Sequence, residues 1–332
     1  MNKRRFFMLV GLGAFGLIAL ANFGRVGEFG SYLGQARWYI LIFIIVMQLI
    51  GYYCTAKFYQ KFTSLFASPP GFTQLYKMSL AINFVNQAFP SGGVSALPYL
   101  SSQLDGVPSG KITLTHFVRY LFTYISFIAI LLVGFLILML TGNVSAVTSR
   151  LTLLVVLGII SLSVAAFMIM SNEAWMRRFV KWASVSVNKF WKTIMRKPTD
   201  VVTKEQQNHF VGEFREGYVE LQASHGNWLP PLLYLLGTNI AEILTIYIVF
   251  LSFGFYVNPG IVIAGYTLAN IVSVLGVFTG GIGVFEATMI ASFAALGVPV
   301  AMATAVVIVY RALNLLIFLP VGYFFYNRSL KK

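Results

Sequence analysis

The sequence predicts an all-α integral membrane protein: about six transmembrane helices and two re-entrant, broken helical hairpins arranged as an inverted repeat. Three observations carry that expectation. Apolar residues fill 58% of the 332 positions and charged residues only 10%, against ~25% charged in soluble domains. Several apolar runs reach the ~18 residues needed to cross a bilayer. One pattern also occurs twice: "GVPSGKITLTHFVR" at 106–119 and "GVPVAMATAVVIVYR" at 297–311 each open on Gly-Val-Pro and set an Arg deep in an apolar helix.

Taken in order, an apolar run at 6–22 follows Lys3, Arg4 and Arg5. It reaches "ALA" at 19–21, so residues 1–21 also fit a cleavable signal. A second span covers 38–59 and stops at Lys57, Lys61 and "SPPGF", where two prolines and a glycine break the helix. Residues 73–105 are apolar but interrupted by "FPSGG" at 89–93, and spans at 112–140 and 150–170 follow. Residues 171–227 are the sizeable polar stretch. Within it, "WMRRFVKWASVSVNKFWKTIMRK" interleaves aromatic and aliphatic side chains with seven Lys and Arg, the composition of a helix lying on an anionic membrane surface. A catalytic transferase or kinase domain would need ~100 residues or more. A span at 230–257, an apolar stretch at 259–297 broken by "TGGIG", and a span at 299–326 end the series. One membrane domain, 1–332, therefore divides into a first repeat (38–140), a cytoplasmic amphipathic linker (171–227) and a second repeat (230–326).

Charge sets the orientation. The net charge is +14, and Lys and Arg gather in loops that stay cytoplasmic, facing anionic lipid. Both termini are then cytoplasmic in a multi-pass plasma-membrane protein. The first broken hairpin enters from the cytoplasm and the second from outside. No basic domain stands free of the apolar runs, so nucleic acid is not an expected partner. The one cysteine, Cys54, lies in an apolar run and the three His are widely spaced, so neither a disulfide framework nor a metal site is expected. There is no Gly-x4-Gly-Lys-Ser/Thr phosphate loop, and no cofactor is expected.

The likeness between the two copies extends upstream of Gly-Val-Pro. "FPSGGV" at 89–94 matches "FTGGI" at 278–282, and Asn83 and Asn270 precede the two breaks at similar distances. Gly92, Gly93, Gly280 and Gly281 free backbone groups that lipid cannot satisfy, so such backbone is tolerated at depth only inside protein or beside a wet cavity. Helix N-termini after these breaks attract phosphate or carboxylate. Arg119 and Arg311 lie eleven and twelve residues beyond Pro108 and Pro299, ~16 and ~18 Å of helix rise, about half of a ~30 Å core. A charge there costs ~3 kcal/mol or more unless paired or hydrated. Glu242, twelve residues past Pro230, and Glu286, in the first turns after the second break, reach comparable depth. They read equally as neutralisers of the arginines or as groups that a headgroup or proton engages. His116 shares a helix face with Arg119, and Asn239 and Asn314 read as interhelix hydrogen-bonding residues.

"TGGIGVFEATMIASFAALGVP", followed by "YRALNLLIFLPVGYFF", resembles the C-terminal signature of the lysylphosphatidylglycerol synthase transmembrane family of flippase-like membrane proteins. "NQAFPSGGVSALPYL" is similar to that family's earlier signature, and the likeness covers roughly residues 5 to 326. The resemblance implies a domain that moves lipid across the bilayer, here without the soluble aminoacyl transferase that follows it in large members.

The expected function is therefore that of a lipid translocase. It would bind an anionic or aminoacylated phospholipid, or a lipid-linked phosphate, at a midplane cavity between the hairpins. Arg119, Arg311 and the Gly-Gly helix starts would hold phosphate, and Glu242 and Glu286 would accept ammonium groups or protons. An intramembrane lipid-modifying transferase is the enzymatic alternative. It needs a base and usually an acidic metal cluster, whereas only four acids lie outside 171–227. A regulatory or scaffold protein without transport is the third reading.

Overall fold

A computed structural model describes residues 34, 36–88, 96–104, 106–142, 146–195, 202–224, 228–275 and 283–329. The N-terminal run and both Gly-Gly breaks, with Gly92, Gly93, Gly280 and Gly281, lie outside the described residues. All described regular structure is helical. A short 3-10 turn, Trp38–Leu41, leads into α1 (Ile42–Thr63). Then come α2 (Phe72–Ala88), α3 (Ala96–Gln103), α4 (Ser109–Leu140), α5 (Ala146–Ser171), α6 (Glu173–Met195) and α7 (Lys204–Ala223). The second half holds α8 (Leu229–Ser252), α9 (Pro259–Leu275), α10 (Val284–Ala295) and α11 (Val300–Leu313). A π-helical turn, Asn314–Phe318, carries α11 into α12 (Leu319–Ser329).

Four helical stretches are long and apolar enough to cross a membrane: Trp38–Thr63, Ser109–Leu140, Leu229–Ser252 and Val300–Ser329. A fifth is reached if α5 and the start of α6, which meet at a 103° bend, count as one broken span. The expected spans at 38–59, 112–140, 230–257 and 299–326 correspond to those four. The stretches expected to be broken are each two helices, α2 with α3 and α9 with α10.

The two Gly-Val-Pro segments fold alike. Gly106 and Gly297 both adopt left-handed backbone, with φ of 79° and 92°. Pro108 and Pro299 follow in extended conformation, with ψ of 145° and 133°, and each starts a long helix. At the second site the Gly297 and Val298 N–H groups donate back to the Ala294 and Phe293 carbonyls. That double closure is the Schellman ending of α10, and it requires a residue free of the Cβ penalty at Gly297.

Both halves present the same succession of long helix, 17-residue helix, short helix and long helix. Their cores interlock. One core gathers α8, α9, α10 and α11 but also takes Phe127, Ile130 and Leu138 from the C-terminal half of α4. The other gathers α1, α2, α3, the start of α4 and α7, with Phe325 and Tyr326 of α12 packed against it. Between them α1 and α8 run antiparallel: Gln48 meets Thr245, Gly51 faces Ala241, Cys54 meets Gly237 and Thr55 meets Thr238. Small residues let the two backbones approach closely. α4 and α9 are antiparallel too, from Asn258 at Thr141 to Tyr266 at Phe127.

The described polar stretch between the halves forms two helices, α6 and α7. α7 grips the first turn of α4. Glu213 accepts hydrogen bonds from Ser109 Oγ at 2.9 Å and the Gly110 N–H at 2.8 Å, and Glu220 pairs with Lys111 Nζ at 2.7 Å. A carboxylate at a helix N-terminus satisfies free N–H groups and the dipole together.

The closeness of α4 and α9 is testable. A Cβ at Gly260 would sit 2.6 Å from the Gly134 carbonyl oxygen and 2.7 Å from Leu138 Cγ. Gly260→Ala therefore destabilises the detergent-solubilised protein by ~1–3 kcal/mol, the usual cost of overpacking. Gly158→Ala, with nothing within 4 Å of its added Cβ, leaves the unfolding midpoint unchanged or raises it.

Candidate functional site

The expected site residues separate into two polar clusters inside the helical body. Arg311, Glu286 and Glu242 come together from α11, α10 and α8. Arg311 Nε lies 2.5 Å from Glu286 Oε1, a charge pair without the geometry of a linear hydrogen bond. The guanidinium also sits over the Phe285 ring, 4.4 Å from its centroid, within range of a cation–π contact. Glu286 is 5% exposed, and its second oxygen accepts the Gly283 N–H at 2.6 Å. One carboxylate thus caps α10 and neutralises the cation on α11. Local sequence explains the cap: Glu286 stands three residues after Gly283, the capping-box position.

Glu242 is held differently. Its Oε2 accepts from Tyr310 Oη at 2.8 Å and from Gln48 Nε2 at 3.0 Å, and it lies near enough to Arg311 to feel that charge. Tyr266, Phe285 and Tyr310 wall this cluster, with Phe285 stacked at 6.5 Å on Tyr310 and edge-on at 6.4 Å to Tyr266. The π-helical turn begins three residues after Arg311; such widenings are frequent at functional sites.

The other cluster surrounds Arg119 on α4. Its guanidinium lies 5.9 Å from the Tyr59 ring centroid and 5.6 Å from that of Tyr120. Its Nε and Nη1 are buried and make no hydrogen bond. Among the described residues no carboxylate pairs with it. His116, one turn earlier and 4% exposed, shares a 3.0 Å hydrogen bond between Nδ1 and Tyr59 Oη. The arginines therefore differ: Arg311 carries its own counter-ion, and Arg119, among the described residues, has aromatic and hydroxyl neighbours.

The two expected asparagines each meet a tyrosine. Asn83 Nδ2 donates to Tyr52 Oη at 2.7 Å, and Asn270 donates to the Tyr266 carbonyl of its own helix at 2.9 Å. Asn239 donates to Ser126 Oγ and to the Thr123 carbonyl, stitching α8 to α4. Asn314 is buried at the start of the π turn.

Several participants went unread in the sequence: Gln48, Tyr59 and Tyr310. Gln48, Tyr52, Thr55, Tyr59 and Thr63 are all buried on α1, at steps of three and four that place them on one helical face. This polar face meets Glu242 at one end and reaches His116 and Arg119 at the other, eleven residues away, ~16 Å along the helix. Polar residues at helical spacing within an apolar span were the available signal.

A family model described as the lysylphosphatidylglycerol synthase TM region matches residues 7–322. No curated protein and no solved structure matches the chain significantly.

Removing one member of a buried ion pair leaves the other uncompensated. Glu286→Gln should destabilise the protein by about 3 kcal/mol, and Glu286→Gln with Arg311→Gln should recover part of that loss. Thermal unfolding of the wild type, both single variants and the double variant checks this. Strictly additive losses would show that the pair does not hold α10 to α11.

Proposed function

Since the chain belongs to the lysylphosphatidylglycerol synthase transmembrane family, we propose that this multi-pass membrane protein is a non-enzymatic lipid translocase. Its two halves act as inverted repeats, with both termini on the cytoplasmic side of the plasma membrane. Its substrate is a phospholipid or lipid-linked phosphate, taken headgroup-first into the space between the halves. The repeated order of helices and the antiparallel run of α1 against α8 support the inverted arrangement. Repeats of opposite topology rocking about a central site are a common means of alternating access.

The observation that carries the proposal is the state of Arg119. A cation inside a span that lacks an acidic partner is costly, and its planar fork suits the oxygens of a phosphate. A headgroup phosphate beside Tyr59 and Tyr120 gives Nε and Nη1 the acceptors they lack among the described residues. Arg311 starts from a different condition, because a phosphate reaching it competes with Glu286. That exchange would release the carboxylate and loosen α10 from α11, coupling headgroup arrival to a change in helix packing. Glu242, held by the neutral donors Tyr310 and Gln48, is the acceptor suited to an ammonium group on the same lipid.

Purified protein in liposomes carrying labelled phospholipids tests this. The wild type accelerates transbilayer movement. Arg119→Ala lowers the rate tenfold or more, taking a charge-assisted contact as about 1.5–3 kcal/mol, and Arg119→Lys keeps part of it. Undiminished movement with Arg119→Ala would remove this function from the site, and a chemically altered lipid would assign the protein to the transferases.

A further inference from the structure

We propose that α6 is a dedicated anionic-lipid docking helix, seated in the headgroup layer on one defined face. The inference concerns a surface far from both arginine clusters and does not depend on transport.

Two faces of α6 have different occupants. Met176 and Ser184 are buried and Val180 half-buried, against α7. The α6–α7 hairpin is closed by reciprocal bonds: Asn188 Nδ2 donates to the Val202 carbonyl, and the Val202 N–H donates to Asn188 Oδ1, both at 3.0 Å. Arg177 ties the helices a second time through Asn208 Oδ1 at 3.3 Å. The opposite face carries Trp175, Phe179, Trp182 and Val185, spaced as one helical stripe. They are the exposed side of the helix: Trp182 is 66% exposed and Trp175 50%, while Phe179, at the edge of the stripe, also borders the cleft against α7. A soluble surface does not carry such a run of aromatics without a use for it.

Charge and continuity identify the occupant. Arg178 and Lys181 lie beside the stripe and are exposed, and among the described residues neither forms an ion pair. Arg177 is already paired with Glu173 at 2.7 Å. Rings pointing one way with free cations along their edge suit the acyl–headgroup boundary of an anionic leaflet, where Trp lies at the boundary and Lys and Arg reach phosphate. The stripe also continues a lipid-type surface. Leu157, Val164 and Phe167 of α5 are half or more exposed, and the 103° turn at the α5–α6 junction lays α6 across the axis of α5. With α5 taken as the span expected at 150–170, α6 lies along the membrane plane. Through α7 the docked helix reaches α4, whose first turn Glu213 and Glu220 hold.

The test uses the full chain with Cys54→Ala, which removes the one native thiol, and single introduced cysteines carrying nitroxide labels. W182C and F179C sample the aromatic stripe, and K181C samples the basic edge. The protein is placed in vesicles of phosphatidylcholine with phosphatidylglycerol. Labels at 179 and 182 should collide preferentially with oxygen dissolved in lipid, and the label at 181 with a water-soluble nickel chelate. Adding R178Q should lower the lipid-docked population about fivefold, from ~1 kcal/mol per basic residue near an anionic surface, and omitting phosphatidylglycerol should lower it too. Equal nickel access at 181 and 182 would overturn the proposal. So would shielding of 179 and 182 from both reagents. Dipolar broadening between labels would then mark a second copy as the covering surface, and its absence would mark the N-terminal run of this chain.

Discussion

Within the hydrocarbon of a bilayer no water is at hand, so a polar side chain in a spanning helix must find its partner on a neighbouring helix. In this protein that requirement sets how the helices are joined. Glu242 on α8 takes donors from α1 and α11, Glu286 on α10 takes the cation of α11, and Asn239 on α8 takes acceptors from α4. These contacts bind α1, α4, α10 and α11 to one another through α8 or through a shared charge. Without a hydrophobic force between helices, contacts of this kind and close backbone approach at small residues account for association. Gly51, Gly134, Gly237, Gly260 and Gly322, each within van der Waals range of another helix, supply the second ingredient.

The same polar bonds create an asymmetry between halves of similar construction. In the second half, acids outnumber the cation: Glu242 and Glu286 accompany Arg311. In the first, Arg119 faces Tyr59, Tyr120 and His116 without an acid among the described residues. The buried polar face of α1 thus runs from an acidic end to a cationic one. Like folds therefore do not make equivalent sites.

Much of this architecture was legible in the sequence. Pro108 and Pro299 fixed the starts of two long helices because a residue without an N–H, locked near φ −65°, suits a helix beginning. Neutralisation of the arginines was one of the two readings open for Glu286, and its pair with Arg311 fits that one. Three features were not legible, each for a physical reason. Gln48 and Tyr59 keep a spacing that marks a polar helical face, but what that face meets is set by α8 and α4, far away in the chain. The roles of Asn83 and Asn270 diverge although their spacing is alike, because Asn83 faces α1 and Asn270 turns back on its own helix. The acids of α7 drew no reading because their use depends on a distant partner: Glu213 and Glu220 are taken one at a time by the start of α4, some hundred residues earlier. The Gly-Gly breaks, central to the sequence reading, lie outside the described residues.

The exchange of helix ends between the two cores bears on how the chain is made. Phe127, Ile130 and Leu138 are translated long before α9, α10 and α11, the surfaces that enclose them. The first core likewise awaits Phe325 and Tyr326 of α12, translated after every other described helix has begun. Early helices must therefore stand in the bilayer with unfilled grooves, shielded by lipid or by insertion machinery, until the late ones arrive. A ribosome that stalls midway leaves a product in which neither core is complete.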